Sequence, residues 1–408
     1  MISSERLENG IRLIHSKSPT KVAYCGIAID AGTRDENKNE YGIAHFCEHM
    51  MFKGTANRKS WHILNRMEAV GGDLNAYTNK EETVIYSAFM KEHLDRAADL
   101  ISDIVFNSTY PQNEIEKESE VIIEEIESYN DTPSELIFDE FENMVFENHQ
   151  LGHDILGSID DIRNYRSENL KSFVKRLYKP ENMVFFVLGD YDFEYVKKVV
   201  LKNTSKYFET NTKKHRQRKK INVDYSAKTK YVDKFTHQAH VMMGCRAYSS
   251  DDKRRVALYF LNNIIGGPGM NSLLNVALRE HNGLVYTVES NLTNYTDSSL
   301  FSIYFGCDSK DIEKCVRIVR KELDKLMYVG ISKTKFEASL KQIKGQIGVA
   351  CDNFENYALD MAKSYLHYNK FEGIEETFKL LDKLNPEILQ DVACDLFKED
   401  NISILVYK

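Results

Sequence analysis

The stretch IAHFCEHMMFKG, which begins at Ile43, places His45, Glu48 and His49 within five residues. On an α-helix each residue advances by about 100°, so His45 and His49 share a face, with Glu48 beside both and Cys47 behind. Two neutral imidazoles on one helix face suit Zn²⁺, and a neighbouring carboxylate can take a proton from water. A zinc site that keeps a position open for water needs a third protein ligand. The richest source is the acidic run QNEIEKESEVIIEEIESYN over 112–130, where Glu118 and Glu125 lie seven apart and so share a helical face. Glu124 and Glu127 compete with them, and the pattern alone does not separate Glu125 from Glu124. The plain alternative is a surface helix that carries histidines by chance, which is uncommon at this spacing. His149 and His153 also stand four apart, but Gly152 and the lack of an adjacent acid point to a loop. His237 and His240 flank a strand start and read as structural. Cys47 is expected to pack as a small hydrophobe.

These residues need a scaffold, and the chain offers a repeated one. KVAYCGIAIDAG (21–32) alternates like a strand, and TVIYSAFM (83–90) is a second, β-branched and aromatic. Helical patterns cover about 42–54, the stretch SWHILNRMEAVGG up to Gly71 and Gly72, residues 91–106 and the acidic run. NMVFFVLGDY (182–191) reads as a buried strand followed by a helix. The second half repeats this order: a strand over 240–250, a helix over 254–265, the GGPG cluster, a helix over 270–281, a strand over 299–307 and then a helix. Two homologous α+β domains in tandem are therefore expected. The polar, basic stretch around 209–222 lacks apolar periodicity and divides them, which gives domains 1–211 and 223–408 with a linker over 212–222. No HxxEH occurs in the second copy, so the halves have diverged in role.

The bulk properties exclude several classes. A hydrophobic share of 42% and a charged share of 28% are those of a globular protein. No apolar run approaches the roughly 20 residues that span a bilayer. The N-terminus carries Glu5, Arg6 and Glu8 where a signal peptide needs apolar residues, so a cytoplasmic setting is expected. Seven scattered cysteines, never spaced CxxC, read as free thiols rather than a disulfide framework or a thiolate zinc cluster. A net charge of −8 argues against nucleic-acid binding, and the one basic run, KKHRQRKK at 213–220, reads as a solvated loop.

The sequence resembles the pitrilysin-type metallopeptidases, whose mark is this inverted HxxEH order. Within them it is similar to the branch that includes the β subunit of mitochondrial processing peptidase and its bacterial relatives. The likeness spans nearly the whole chain through LENGIRL, GIAIDAGTRDE, GIAHFCEHMMFKGT, VGGDLNAYTNKEETVIY, EKESEVIIEEIESYNDTP, LGHDILG and NMVFFVLGDYD. In the second half it continues through IIGGPGMNSLLNVALREHNGLVYTV. The resemblance implies one Zn²⁺ per chain held by His45, His49 and Glu125, with Glu118 supporting a ligand and Glu48 as general base. It further implies that Arg279 and Tyr286 contact substrate and stabilise the oxyanion. On their own, Arg279 would pass for a helix-end charge and Tyr286 for a strand aromatic.

The strand near LNAYT (74–78) is expected at an open sheet edge, where Asn75, Ala76 and Tyr77 would bind a peptide as an added strand. Asn75 reads equally well as a turn residue. The family's single-chain members carry four such domains, so this two-domain chain is expected to form half of a clamshell completed by a second chain. A homodimer with two shared sites is the expectation, with a heterodimer as the alternative, and Arg279 and Tyr286 are expected to reach the partner's zinc. The implied activity is that of a zinc endopeptidase on peptides or unfolded segments inside an enclosed chamber. The competing readings are a non-catalytic assembly subunit of the same fold and a processor of one leader peptide.

Overall fold

The computed structural model describes residues 2–208, 213–218 and 220–408. The first half runs β1 (Ile2–Arg6), β2 (Arg12–Lys17), β3 (Val22–Ile29), α1 (Ile43–Met51), α2 (Ser60–Glu68), β4 (Asp73–Thr78) and β5 (Thr83–Met90). It continues through α3 (Leu94–Asn107), α4 (Gln112–Asn130), α5 (Pro133–Val145), α6 (Ile159–Asn164), α7 (Ser167–Leu177), β6 (Met183–Gly189) and α8 (Phe193–Thr204). The second half runs β7 (Thr229–Val232), β8 (Ala239–Ala247), α9 (Arg255–Gly266), a π-helical turn (Asn275–Glu280), β9 (Val285–Asn294) and β10 (Ser299–Cys307). It closes with α10 (Ile312–Tyr328), α11 (Lys333–Ala350), α12 (Phe354–Tyr368), α13 (Ile374–Leu381), α14 (Pro386–Leu396) and β11 (Ser403–Tyr407).

The strand orders are β1-β2-β6-β3-β5-β4 and β7-β11-β8-β10-β9. Without β1 they coincide position by position, and so do the pairing senses: β2–β6 and β7–β11 are parallel, the other pairs antiparallel. Five helices lie between β5 and β6 and five between β10 and β11, so the duplication expected from sequence holds for these elements, with β1 and α8 unmatched in the second copy. The second helix expected over 270–281 is the exception. It is reduced to the π-helical turn, where the Asn275 amide donates to Met270 O and Leu284 N–H to Leu278 O.

Alternation within the strands buries both faces of each sheet. In the first, Leu13, Ile27, Ile85 and Phe185 face the helices that follow in sequence, while Ile14, Ala28, Val84 and Phe186 face α12. In the second, Val241, Phe301 and Ile303 face the nearby helices, while Met242, Leu300 and Tyr304 face α5. The equivalent helices α5 and α12 are thus exchanged. One compact unit comprises 1–127, 153–218 and 351–371, and the other 128–152, 219–350 and 372–408. This differs from the contiguous division into 1–211 and 223–408, because an amphipathic helix shows that it buries a face but not against which sheet.

The linker assigned to 212–222 also differs from a solvated connection. Thr212 and Lys219 lie outside the described residues. Of the rest, Arg216 and Arg218 are largely buried against Asp30 and Asp35, and His215 bonds Asp30 at 2.8 Å. Their acidic partners are about 180 residues away in sequence, so the basic run alone could not reveal them. Among the described residues no helix is long and apolar enough to cross a membrane.

Candidate metal centre

Helix α1 begins where Gly42 takes φ +83°, with the backbone of Leu156 and Gly157 pressed against its Cα. A Cβ there would meet Leu156 O at 2.5 Å, so glycine is required on both counts. The first turn has no side-chain cap of its own. Instead the buried Glu36 accepts from Gly42 N–H at 3.0 Å and Ala44 N–H at 2.9 Å, and contacts His153 Nε2 at 3.0 Å. The His149/His153 pair is accordingly a loop in which His153 anchors this start. Cys47 is fully buried, its thiol pushed well up by burial and directed at Leu170 O.

The opposite face of α1 carries His45, Glu48 and His49, with the imidazole centroids 4.5 Å apart. Helix α4 lies alongside. It buries Ile115, Glu118, Ser119, Ile122, Ile123 and Ile126, while Glu124, Glu125 and Glu127 are all exposed, and of these three Glu125 is the one that reaches the α1 histidines. Glu125 Oε2 is 3.7 Å from His49 Nε2 and 4.0 Å from His45 Nε2. Two donors each about 2.1 Å from a tetrahedral zinc are separated by roughly 3.4 Å, so the trio fits that ion with little adjustment. It is the one such group of three His, Cys or acidic residues among the described residues.

Supporting contacts orient the donors. The His49 Nδ1–H donates to Glu118 Oε1 at 3.0 Å, which leaves Nε2 as the lone-pair nitrogen facing Glu125. Glu118 Oε2 pairs in turn with Lys53 Nζ at 2.5 Å. Burial opposes ionisation of Glu118, but the bonds from His49 and Lys53 outweigh it and hold the carboxyl below its usual range. Burial likewise disfavours charge on His49, but the Glu118 bond and the Glu48 and Glu125 carboxylates raise it above the ordinary imidazole value. Burial, then His49, pulls His45 down to about 3, so His45 is neutral and a ready ligand. Its Nδ1 is buried without a hydrogen-bond partner. Glu48 is buried, which pushes its carboxyl up. A hydrogen bond with Thr78 and the nearby His49 pull it part of the way back.

Thr78 ends β4, which is the edge strand of its sheet, as the sequence led us to expect. Asn75 is exposed there, while Ala76 and Tyr77 are half-buried. Arg279 and Tyr286 belong to the other compact unit. The Arg279 guanidinium lies 6.0 Å from the Tyr286 ring centroid, and Tyr286 is 82% exposed, which leaves its hydroxyl free to meet a ligand. Sequence reasoning missed Glu36, Lys53 and Thr78. Lys53 lies one helical turn past His49 and Thr78 is the last residue of the LNAYT strand, but neither position reveals a partner.

Two family models match successive parts of the chain: the insulinase family, peptidase family M16, over residues 12–158, and the peptidase M16 inactive domain over 165–343. A Bacillus subtilis protein named as the uncharacterized zinc protease YmxG is 30% identical over 407 residues, covering 100% of this chain and 98% of its own. A similarly named zinc protease of Rickettsia bellii is 30% identical, covering 98% and 96%. Among solved structures, a protease from Helicobacter pylori matches with a TM-score of 0.92 at 24% identity, covering 100% and 99%. A peptidase M16 inactive domain structure from Pseudomonas fluorescens gives 0.92 at 16%, covering 100% and 97%.

Proposed function

The chain belongs to the insulinase (M16) family of metallopeptidases, and from that premise we propose that it is a zinc-dependent endopeptidase acting on peptides or unfolded segments. The observation that carries this is the convergence of His45 Nε2, His49 Nε2 and Glu125 Oε2 beside the buried Glu48. Bound zinc would supply Lewis acidity, easing the ionisation of water and polarising the scissile carbonyl. Glu48, whose carboxyl burial has pushed up, takes the proton from the attacking water and delivers it to the leaving amine. Glu118 fixes the His49 ring, and Lys53 keeps Glu118 ionised and in place. A substrate pairs with β4 through its main chain, with Asn75, Ala76 and Tyr77 alongside, which gives affinity with little side-chain selectivity. Arg279 and Tyr286 provide a cation and a hydroxyl donor for the oxyanion.

We further propose that two chains form a homodimer enclosing a chamber, with Arg279 and Tyr286 serving the partner's site. The test is cleavage of an unstructured peptide. Activity should vanish with a chelator and return with Zn²⁺, whereas an assembly subunit of the same fold would show no chelator-sensitive cleavage. Mixing Glu48→Gln protein with Arg279→Ala protein should regain activity that neither has alone. Failure of that rescue, with both variants folded and dimeric, sinks sharing in trans.

A further inference from the structure

The turn Asn79–Glu82 between β4 and β5 reads NKEE, the composition of a solvated hairpin, yet Lys80, Glu81 and Glu82 are all buried. Each of the three has a partner. Lys80 donates to His153 O, and Glu81 accepts from Arg34 at 2.6 Å and lies 3.5 Å from Arg218. Glu82 is held by His367 Nε2 at 2.8 Å, Lys363 Nζ at 3.1 Å and Asn79 Nδ2 at 2.6 Å. Lys363 and His367 stand one turn apart on α12, the exchanged helix, and so present one face to the turn. The same helix takes Tyr86 through Glu355 at 2.7 Å, and its last carbonyls accept from Arg12 at 2.9 and 3.0 Å.

Apolar side chains would fill this space at lower desolvation cost, so a run of three buried charges makes sense where one geometry must be specified. What it specifies is the end of β4. Thr78 pairs with Thr83 in the rung next to the turn, and the Thr78 hydroxyl bonds Glu48. The second unit carries a parallel device: the β9–β10 turn is tied to α5, the other exchanged helix, through Tyr295 and Glu142 at 2.5 Å.

We propose that Lys363 and His367 are positioning residues for the peptide-binding edge, setting β4 and Thr78 through Glu82. This rests on the reading of β4 as the substrate strand. A purely structural role would lower stability throughout the unit; a positioning role alters β4 and substrate affinity selectively. In the zinc-loaded protein, Lys363→Met should raise KM for a long unstructured peptide by about tenfold, with a smaller fall in kcat. Zinc content should not change. Hydrogen exchange of the β4 amides should quicken at least as much, while β9 amides hold their rates, and Lys363→Arg should restore both. Glu82→Gln serves as a second, nearly isosteric variant should Lys363→Met fold poorly, with the same selective pattern expected. Unchanged KM together with unchanged β4 exchange overturns the proposal, and so does exchange that quickens uniformly across the unit. If the wild-type protein shows no chelator-sensitive cleavage, the peptidase reading falls and takes the substrate role with it. Exchange then still decides whether α12 sets β4.

Discussion

Helices α1 and α9 occupy the same place in the duplicated topology, each following the central strand of its sheet, and both bury apolar residues, but only α1 buries charged and titratable ones with them. Helix α9 buries Ala257, Leu258, Phe260, Leu261, Ile264 and Ile265. Helix α1 buries His45 and Glu48 as well, with His45 Nδ1 left unpartnered. Burying such groups costs stability unless they are paired, and α9 shows that the architecture itself does not need them. On the proposed function the polar face of α1 is present for chemistry, and the repeat without it marks what the fold alone requires.

The largest way to test that contrast is Glu48→Gln. Turnover should fall by about 10²–10⁴ while zinc stays bound, and a variant with full activity would break the claim that α1 holds the base. Next comes the second unit. Tyr286→Phe should cost about 10²–10³ in kcat with zinc content unchanged, because one donor to the developing oxyanion is lost. An unaffected kcat would return Tyr286 to the role of a surface aromatic. Third, Glu118→Gln and Lys53→Met should each weaken zinc by about 10–100-fold in competition with a chelator, since both hold the His49 ring through one carboxylate. Equal affinity in all three proteins would mean that the ring needs no such support.

The smallest effect concerns pH in the zinc-free protein. His45 lies well below its ordinary value in the fold, so its contribution to stability is complete above about pH 6.5 and is lost as pH falls toward 3, by at most about 1.4 kcal/mol per unit. His49 is raised, so its contribution is complete below about pH 6.5 and is lost as pH rises through the raised value. Proton NMR titration should place the two imidazoles on opposite sides of 6.5. Denaturant unfolding should show that His45→Phe flattens the acid limb. Coincident titrations would contradict the burial of His45 and the carboxylates gathered around His49.

Much of the site was legible because helical geometry turns spacing into proximity. HxxEH puts three groups on one face whatever the tertiary fold. Glu125 could not be told from Glu124 by spacing, because the choice depends on which stripe of α4 the isoleucines bury. Thr78 and Lys53 stayed invisible because their partners lie on other elements. The repeat of strands and helices followed from alternation and helical periodicity, while the exchange of α5 and α12 did not, since amphipathic pattern is silent about destination. The basic run misled for a related reason: arginines read as solvated until Asp30 and Asp35, far upstream, are found against them.

The trade of helices also sets a schedule for biosynthesis. The sheet that backs the HxxEH helix receives its outer cover only once residues 351–371 have been synthesised, after every strand of the second sheet except β11. Until then Ile14, Val84 and Phe186 line a greasy, uncovered wall. A truncated message or an early release would leave that wall bare, so the first unit completes its packing only after most of the second has been made.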